Sequence, residues 1–526
     1  MDNAHPITGA RTMWELVERR AAASPEHPML IDAEDRVVTF GEFAKRAEET
    51  AAGLLARGIG PDSVVCWQLP TRIETVVLSM ALSRLGAVQN PIIHLYRERE
   101  VGFAVRQTRP ELLVVPGVWR KVDYLALADT VTAELPEPPA VLSVGEGLPR
   151  GDPASLPPPP TPTDAEHAPV RWIYYTSGST AEPKGVRHTD QTLIAGGWGL
   201  AKAMDMSPSD VGSMAFPYAH IAGPDYLVML LSLGFPAVLI EAWSPPEALA
   251  VYRRHGVTMV GGSTAFYLAV LAEQRAHPAE PVLPTLRLMS GGGAPMPPEV
   301  HYEVRDEVGG RGVVHGYGMT ESPMITSGSP HDSDEQLANT SGAPVEGADL
   351  RVVTLDGRPA QPGEEGEFRV RGPMVFRGYT DPALNREAFD QEGYFRTGDL
   401  GYLRPDGYAV LTGRLKDVIV RKGENISAKE IEDLLYSHPA VADVAVIGLP
   451  ERSRGEIVCA VVQPVAEAGE LTLADVVAYC RQHGLMTQKI PEQLEVRTEM
   501  PRAATGKIVK KALRDEYVAR PPESES

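Results

Sequence analysis

Six short polar or glycine-rich segments carry the side chains that could perform chemistry. The first reads TSGSTAEPKG over residues 176–185 and follows a short apolar run. Its backbone N–H groups, its hydroxyls and Lys184 could converge on anionic oxygens, as in loops that wrap phosphate. It is not a P-loop, because no GxxxxGK[ST] string is present. The segment therefore predicts a phosphate-binding loop that consists of Thr176, Ser177, Gly178, Ser179, Thr180 and Lys184.

Two later segments combine glycines with hydroxyl and carboxyl groups. SGGGAP, residues 290–295, follows a candidate strand, and its glycines allow the backbone to approach a flat ligand closely. HGYGMTE, residues 315–321, places the hydroxyl of Thr320 beside the carboxylate of Glu321. A carboxylate is a hard ligand that suits Mg²⁺. Together the segments fit a flat ligand with phosphate groups, although SGGGAP alone could be only a tight turn.

Three segments in the C-terminal part of the chain add charged groups. RTGDL contains Asp399, and one carboxylate can accept hydrogen bonds from two neighbouring hydroxyls. GRLKD supplies Arg414 and Lys416, and PRAATGKI supplies Lys507. Single charged residues are mostly solvated surface groups, so the order and number of the segments are the informative feature.

In this order the segments resemble the signatures of the adenylate-forming superfamily, which contains acyl-CoA synthetases, peptide-synthetase adenylation domains and firefly luciferase. The resemblance covers roughly residues 12–515. It implies an α/β fold with a large N-terminal domain of layered sheets and helices over residues 1–414. A small, mobile α+β lid domain would follow over residues 415–526.

The resemblance assigns roles to several residues of the large domain. Tyr317 would pack on adenine, and Thr320 would bond the α-phosphate of ATP. Glu321 and Thr180 would hold Mg²⁺ beside the phosphates. His220 would line the junction between the acyl pocket and the CoA tunnel, as a gate or only as a wall residue. Further nucleotide-binding residues would be Gly293, Ala294, Pro295, Gly316, Gly318 and Met319.

The same resemblance gives the charged C-terminal segments their roles. Asp399 would accept both ribose hydroxyls, and Arg414 would contact ribose or phosphate. Lys507 would reach the carboxylate and the α-phosphate during adenylation. The lid would then rotate about Lys416 and bring Gly423 to the pantetheine channel of coenzyme A. One lid would thus serve two half-reactions.

Two positions depart from the family's pattern. Ala181 stands where the family usually has glycine, and alanine would strain the loop if that position requires a positive φ. Ala503 stands where threonine is usual, which removes one hydroxyl near Lys507. Neither change removes a charge, so we expect activity to survive both.

The expected activity is that of an ATP-dependent carboxylic acid–CoA ligase, which forms an acyl-adenylate and releases pyrophosphate and then AMP. Mostly small, uncharged residues would bound its acyl pocket. Such a wall favours a medium-chain, alicyclic or aromatic acid. The expected wall residues are Ala219, Ser263, Thr264, Gly291, Gly316 and Met319.

Four alternatives remain open from the sequence alone. An amino-acid adenylation domain would have an Asp where Ile221 stands. A ligase that loads a carrier protein would share the first half-reaction, and a luciferase-like oxygenase would share the fold. A non-catalytic acyl- or nucleotide-binding homologue would be expected to lack Lys507, Glu321 or Asp399, and all three are present.

Composition narrows the classes of partner. The net charge of −20 argues against a general nucleic-acid or anionic-membrane binder, because both need a basic face. No apolar run is long enough to predict a membrane span, and no secretory signal is visible. Cys66, Cys459 and Cys480 are far apart, which suits a reducing compartment such as the cytoplasm. We expect a carboxylic acid, ATP and CoA as partners, and either a monomer or a homodimer.

The elements that must position these segments alternate between strands and helices, which implies parallel sheets covered on both faces. Thr39 and Glu42 predict a capping box at the start of a helix. Proline-rich residues 135–169 are expected to form an exposed, extended connection. Strands are predicted at residues 64–67, 257–260, 286–289, 441–447 and 457–462, and helices at residues 74–85, 298–308, 428–436 and 473–483.

Overall fold

The computed structural model describes most of the chain. The described residues are 7, 9–133, 135–145, 147–176, 183–294, 296–421, 424–451, 454–465, 469, 471–503 and 507–519.

The chain forms two compact units of different size. The first consists of the residues up to Thr176, Pro183–Leu350 and Val370–Phe395. The second consists of Arg351–Arg369 and the residues from Arg396 onward. The α/β fold with one large and one small domain is thereby confirmed, whereas the boundary between residues 414 and 415 stays a prediction.

Helices cover both units, and none of those described combines the length and apolar character that a membrane crossing would require. They are α1 (Met13–Ala23), α2 (Phe40–Leu55), α3 (Ile73–Leu85), α4 (Glu98–Thr108), α5 (Tyr124–Thr132), α6 (Asp190–Met204), α7 (Ala222–Leu233), α8 (Pro245–Arg254), α9 (Thr264–Ala276), α10 (Pro298–Glu303), α11 (Asp334–Asn339), α12 (Asn385–Ala388), α13 (Ala428–Tyr436), α14 (Leu473–Gln482) and α15 (Lys510–Ala519).

The strands are mostly short. They are β1 (Pro28–Ile31), β2 (Val37–Thr39), β3 (Val64–Trp67), β4 (Val88–Pro91), β5 (Leu112–Val115), β6 (Val118–Trp119), β7 (Val122–Asp123), β8 (Ala140–Ser143), β9 (Trp172–Thr176), β10 (Lys184–His188), β11 (Gly212–Met214), β12 (Ala237–Leu239), β13 (Met259–Gly262), β14 (Leu288–Gly291), β15 (Val313–Met319), β16 (Ser322–Ser327), β17 (Ala343–Pro344), β18 (Asp349–Val353), β19 (Gly366–Arg371), β20 (Phe395–Leu403), β21 (Ala409–Arg414), β22 (Val418–Arg421), β23 (Glu424–Ser427), β24 (Val441–Glu451), β25 (Gly455–Pro464) and β26 (Gln493–Val496).

The first unit is built on two largely parallel sheets. One has the order β17-β16-β15-β14-β13-β11-β12-β1-β2, and only β2, β16 and β17 run antiparallel to their neighbours. The other has the order β10-β9-β4-β3-β5-β8 and is parallel except for the hairpin of β9 and β10. The parallel sheets that alternating strands and helices predicted are therefore confirmed.

An apolar core holds these sheets together. The side chains of Trp67 and Trp172 are completely buried in it. Cys66 is also buried, as are Cys459 and Cys480 in the second unit, and all three thiols are free. Burial raises the pKa of the Cys66 thiol to about 12, so this cysteine behaves as a small apolar residue.

Several local predictions agree with the structure. Thr39 and Glu42 form the predicted capping box, with each side chain accepting a hydrogen bond from the other residue's backbone N–H. The predicted strand at residues 64–67 is β3, and the predicted helix at residues 428–436 is α13. Such short patterns are reliable where the hydrogen-bonding partners are close in sequence.

The strands predicted at residues 257–260 and 286–289 begin two residues later in the structure than the sequence indicated. β13 and β14 start at Met259 and Leu288 and continue through glycines, which the sequence pattern treats as strand ends. A Cβ atom at Gly291 would lie 1.6 Å from the carbonyl oxygen of Gly262. The close approach of neighbouring strands therefore requires glycine here, and the ladder continues through it.

The prediction for the proline-rich residues 135–169 is wrong in one part. The tetrapeptide of β8 pairs in parallel with β5 and forms the edge of the second sheet. A strand of four residues needs only a partner edge, and the surrounding prolines do not prevent it.

In the second unit, helices cover a mixed sheet. Strands β23, β22, β25, β24 and β26 form it, and β24 and β25 make one long antiparallel hairpin. Ile431 and Leu435 of α13 are buried in the same apolar cluster as Val446 and Val458. Most of the smaller sheet β18-β19-β20-β21 also belongs to this unit.

Candidate active site

The candidate segments of the first unit share one edge of its nine-stranded sheet. Residues 215–220 follow β11, residues 263–264 follow β13, residues 292–294 follow β14, and residues 320–321 follow β15. These four strands are parallel, so their carboxyl ends meet at the same edge. Ligands of open α/β sheets bind outside the carboxyl ends of the strands.

Thr320 and Glu321 form the two-residue turn between β15 and β16. The facing pair Met319 and Ser322 closes this hairpin, and the register shifts between Tyr317 and Met319. Neither turn residue has a positive φ, so the turn differs from the mirror-image types that are common in two-residue hairpins. The irregular register is therefore part of the backbone geometry of the turn that carries Thr320 and Glu321.

Gly318 accounts for part of the geometry of this hairpin. A Cβ atom at this position would lie 2.0 Å from the carbonyl oxygen of Pro323. Any side chain would thus push β16 away from β15. The glycine is required by strand packing next to the turn.

The Glu321 carboxylate is buried, with 7% of the residue exposed. The Tyr379 hydroxyl donates a hydrogen bond of 2.8 Å to Glu321 Oε1, and the Phe376 N–H donates one of 2.9 Å to the Glu321 carbonyl. Burial, together with the negative charge of Glu321, raises the pKa of Tyr379. The phenol therefore stays protonated and remains a donor.

The fit of Mg²⁺ to this carboxylate follows from the donor set. Among the described residues, no group of three or more His, Cys, Asp or Glu side chains could enclose a metal ion. Mg²⁺ is commonly held by one or two carboxylates together with substrate phosphates. Glu321, a single carboxylate beyond the carboxyl end of β15, suits that arrangement, and Thr180, its predicted companion, lies outside the described residues.

His188 fixes the other residue of the turn. Its Nε2 lies 2.7 Å from the Thr320 carbonyl oxygen, and its Nδ1 lies 2.8 Å from Thr192 Oγ1. A carbonyl only accepts hydrogen bonds, so Nε2 carries the proton. Burial lowers the pKa of His188 to about 4, which keeps the ring neutral. His188 thereby ties β10 of one sheet to the end of β15 in the other.

The predicted phosphate loop connects β9 and β10. Thr176 and Lys184, which flank it, face each other directly in the β9–β10 hairpin. The Lys184 ammonium lies 5.0 Å from the centre of the Tyr379 ring. The residues outside the described part of the chain include Ser177, Gly178, Ser179, Thr180 and Ala181 of this loop, and also Pro295 and Gly423.

The glycines after β14 have two different functions. A Cβ atom at Gly292 would lie 2.4 Å from the carbonyl oxygen of Gly316, so strand packing requires that glycine. Gly293 has a φ of +77° and would have no atom within 4 Å of an added Cβ. Gly293 therefore borders open space, whereas the adjacent Ala294 is half-buried, and their contact with a nucleotide stays a prediction.

Several other predicted residues lie at the same edge with different degrees of burial. Tyr317 is buried and only 7% exposed, whereas Gly318 and Met319 are half-buried. His220 lies just before α7, and its Nδ1 accepts a hydrogen bond from the Ala222 N–H. Ala219 is buried in the hydrophobic core, and its place in the wall of an acyl pocket stays a prediction.

In the second unit, Asp399 and Arg414 face each other across β20 and β21. Arg414 Nε lies 2.7 Å from Asp399 Oδ1, and Asp399 is almost completely buried. Lys416 lies in a single helical turn, Leu415–Asp417, directly after β21. The predicted hinge is thus the short connection between two strands of the unit.

Lys507 pairs with Ala503 through the backbone in the same unit. The Ala503 N–H donates to the Lys507 carbonyl, and Arg502 and Ile508 pair on either side. Although Lys507 is partly exposed to solvent, burial of its ammonium group lowers the pKa of Lys507 to about 8. The charge of Arg414 acts in the same direction, and that of Asp399 opposes it. The three predicted groups Lys507, Asp399 and Arg414 therefore influence one another.

His188 and Tyr379 are the residues that sequence reasoning missed. They contact Thr320 and Glu321 across 132 and 58 residues of chain, respectively. Tyr379 follows an Arg-Gly pair on a segment with no helix or strand pattern, so no local signal indicated its position. His188 is the last residue of β10 and could have been suspected only from its place beyond the phosphate loop.

Comparison with known proteins identifies the family. The model of the AMP-binding enzyme family matches residues 17–380, and that of the AMP-binding enzyme C-terminal domain matches residues 430–507. The medium-chain fatty-acid–CoA ligase of Escherichia coli (strain K12) is 30% identical over 98% of this chain and 92% of its own. The salicyl-AMP ligase / salicyl-S-ArCP synthetase of Mycobacterium tuberculosis is 33% identical over 96% of this chain and 90% of its own.

A solved structure shows the same similarity. The o-succinylbenzoate coenzyme A synthetase from Bacillus subtilis, in complex with ATP and magnesium ion, has a TM-score of 0.81 and 26% sequence identity. The match covers 95% of this chain and 98% of that one. The chain therefore belongs to the AMP-binding enzyme family of adenylate-forming, ATP-dependent ligases.

Proposed function

We propose that the protein is an ATP-dependent carboxylic acid–CoA ligase that releases pyrophosphate and AMP. The observation that carries the proposal is the ion pair of Asp399 and Arg414 within electrostatic reach of Lys507. A carboxylate for ribose hydroxyls and two cations for phosphate form a set that suits acyl-adenylate formation. Membership of the adenylate-forming family supports the same reaction.

In the first half-reaction, a carboxylate oxygen of the acid attacks the α-phosphorus of ATP, and the bond to pyrophosphate breaks. Lys507 would stabilise the negative charge that gathers around phosphorus, so it acts on the rate more than on binding. Asp399 would hold the ribose, and Thr320 would donate to the α-phosphate. Mg²⁺, held by Glu321 and Thr180, would neutralise charge on the phosphates.

Further residues would surround the nucleotide. Lys184 would supply a cation to the phosphates, because it begins the strand that leaves the phosphate loop. The other proposed contacts are Thr176, Ser177, Gly178, Ser179, Gly293, Ala294, Pro295, Gly316, Tyr317, Gly318, Met319 and Arg414.

In the second half-reaction, the CoA thiol attacks the acyl carbonyl, and AMP leaves with the electron pair of the broken bond. A lid of residues 415–526 would rotate about Lys416 between the two steps and present Gly423 to the pantetheine arm. His220 would line the entry of that arm. A cytoplasmic location and a monomeric or homodimeric state are part of the proposal.

The acid is proposed to be a medium-chain, alicyclic or aromatic carboxylic acid. One relative is named for medium-chain fatty acids and another for salicylate, and both types of acid are largely apolar. Small residues at the carboxyl ends of β13 and β14, such as Ser263 and Gly291, leave an uncharged wall at the sheet edge. A wall of this kind discriminates weakly between homologous acids.

A second candidate acceptor is a carrier protein. The relative from Mycobacterium tuberculosis is named both as a salicyl-AMP ligase and as a salicyl-S-ArCP synthetase. The first half-reaction would be the same, and only the thiol donor would differ.

A panel of acids with ATP, Mg²⁺ and CoA tests the proposal. We expect pyrophosphate release and thioester formation with apolar medium-chain, alicyclic or aromatic acids, and much less of both with short acids. Dicarboxylic acids should also react poorly, because an uncharged wall leaves their second carboxylate unpaired. The measurement is pyrophosphate by a coupled assay and thioester by mass. Pyrophosphate without thioester would exclude CoA as the acceptor and favour the carrier protein.

Pyrophosphate release is expected to decline as the pH rises through about 8. The lowered pKa of Lys507 means that its ammonium form is present below that pH and is lost above it. The test is kcat/KM for ATP from about pH 6 to about pH 10 at constant ionic strength. In Lys507→Arg the guanidinium stays charged, so any remaining activity should lack this decline. A wild-type profile that stays flat above pH 8 would contradict the assignment.

A further inference from the structure

One tyrosine of the first unit contacts two residues of opposite charge. The Tyr379 hydroxyl donates a hydrogen bond of 2.8 Å to Glu321 Oε1. The ring of the same residue lies 5.0 Å from the Lys184 ammonium, measured to its centre. Tyr379 is itself 4% exposed, so its ring and hydroxyl are shielded from bulk water, whereas Lys184 is half-buried.

The backbone around Tyr379 is fastened on both sides. Tyr379 pairs with Val186 of β10 as an isolated bridge, and the Thr380 N–H donates a bond of 2.7 Å to the Gly185 carbonyl. The Tyr379 N–H donates a bond of 2.7 Å to Asn385 Oδ1. The ring is therefore held against the same strand that begins with Lys184.

The two contacts have different electrostatic consequences. A lysine that approached Glu321 directly would form an ion pair and cancel the charge that a divalent cation requires. A phenol is a neutral donor, so it orients one carboxylate oxygen and leaves the net charge of the carboxylate in place. Its ring face attracts an ammonium through the negative side of the quadrupole, which also leaves the ammonium charge in place.

We propose that Tyr379 is a positioning residue that keeps Lys184 and Glu321 as separate charges, one for nucleotide phosphate and one for the divalent cation. The inference rests on the proposed function, because it requires that ATP and Mg²⁺ bind at this sheet edge. The hydroxyl orients the carboxylate that would bind the cation, and the ring holds the ammonium that would bind phosphate. The two contacts can therefore be removed separately by substitution.

Direct binding measurements distinguish the contact of the Tyr379 hydroxyl from that of the Tyr379 ring. ATP binding is titrated calorimetrically with the full-length protein, once with Mg²⁺ and once with EDTA, and the ratio of the two affinities is the Mg²⁺ enhancement. Tyr379→Phe is expected to reduce that enhancement at least about tenfold, the usual effect of losing a charge-assisted hydrogen bond, with little change in EDTA. Tyr379→Leu should also weaken ATP binding in EDTA.

Tyr394 offers a matched control in the same unit. Its hydroxyl donates a bond of 2.6 Å to Asp349, and the Arg371 guanidinium lies 4.5 Å from the centre of its ring. Tyr394→Phe thus removes the same kind of contact elsewhere and should leave the Mg²⁺ enhancement unchanged. Thermal unfolding of each variant reports the effect on the fold separately.

The outcomes distinguish this inference from the proposed function. An Mg²⁺ enhancement in the wild type that Tyr379→Phe retains would overturn the role of Tyr379 and leave the proposed function intact. Equal losses with Mg²⁺ and with EDTA would reduce Tyr379 to a structural residue and would also overturn it. A wild-type protein without Mg²⁺-enhanced ATP binding would overturn the proposed function and this inference together.

Discussion

Replacing Lys507 with alanine is expected to slow acyl-adenylate formation by about 10²–10³-fold, while thioester formation from a supplied acyl-adenylate stays close to wild type. The substitution removes a cation that acts when charge gathers at phosphorus, and no comparable charge develops at phosphorus when a thiol attacks the acyl carbonyl. Pyrophosphate release measures the first step. Thioester produced from synthetic acyl-adenylate and CoA measures the second.

Lys511→Ala is the control for this substitution. Lys511 is also exposed and lies on the helix that follows Lys507, so its loss removes a nearby positive charge outside the proposed site. We expect both half-reactions to be unaffected in this variant. Equal losses of both steps in Lys507→Ala would contradict the proposal that a rotating lid serves two half-reactions.

Replacing Glu321 with glutamine is expected to lower kcat/KM for ATP about 100-fold and to raise the Mg²⁺ concentration needed for half-maximal rate. Glutamine keeps the shape of the side chain and can still accept a hydrogen bond from the Tyr379 hydroxyl. The change is therefore confined to the charge that a hard cation requires. The measurement is pyrophosphate release as a function of Mg²⁺ at fixed ATP.

Glu247→Gln provides the comparison for a removed carboxylate charge. Glu247 is exposed in the first turn of α8, and its replacement should alter neither the rate nor the Mg²⁺ requirement. If Glu321→Gln retained the wild-type Mg²⁺ requirement, Glu321 would not be the metal-binding carboxylate. Unfolding of Glu321→Gln at the wild-type temperature would confirm that the effect is local.

Both predictions concern residues that stand in motifs recognisable from the amino-acid sequence. These motifs are short strings in which the chemistry and the backbone are specified together, as in the two-residue turn that carries Thr320 and Glu321. The same locality accounts for the capping box at Thr39 and Glu42 and for the limits of α13. In each case the interacting atoms are a few residues apart, so the pattern contains most of the information.

Glycines illustrate where local reasoning fails. Gly291, Gly292 and Gly293 form one string, and the sequence suggests one common purpose for all three. The structure separates them, because added Cβ atoms at the first two would collide with backbone of neighbouring strands, whereas Gly293 borders open space. Which glycine is required by packing depends on the strand that lies beside it, and this neighbour is distant in sequence.

The sequence by itself determined the family resemblance, the α/β class, the large and small domains and the positions of the charged groups. Only the tertiary structure decided that Tyr379 would meet Glu321 and Lys184, that His188 would hold Thr320, and that β8 would complete a sheet. Local propensity and spacing act over a few residues. Contacts across 58 or 132 residues depend on strand order and register, which are set by the packing of the whole unit.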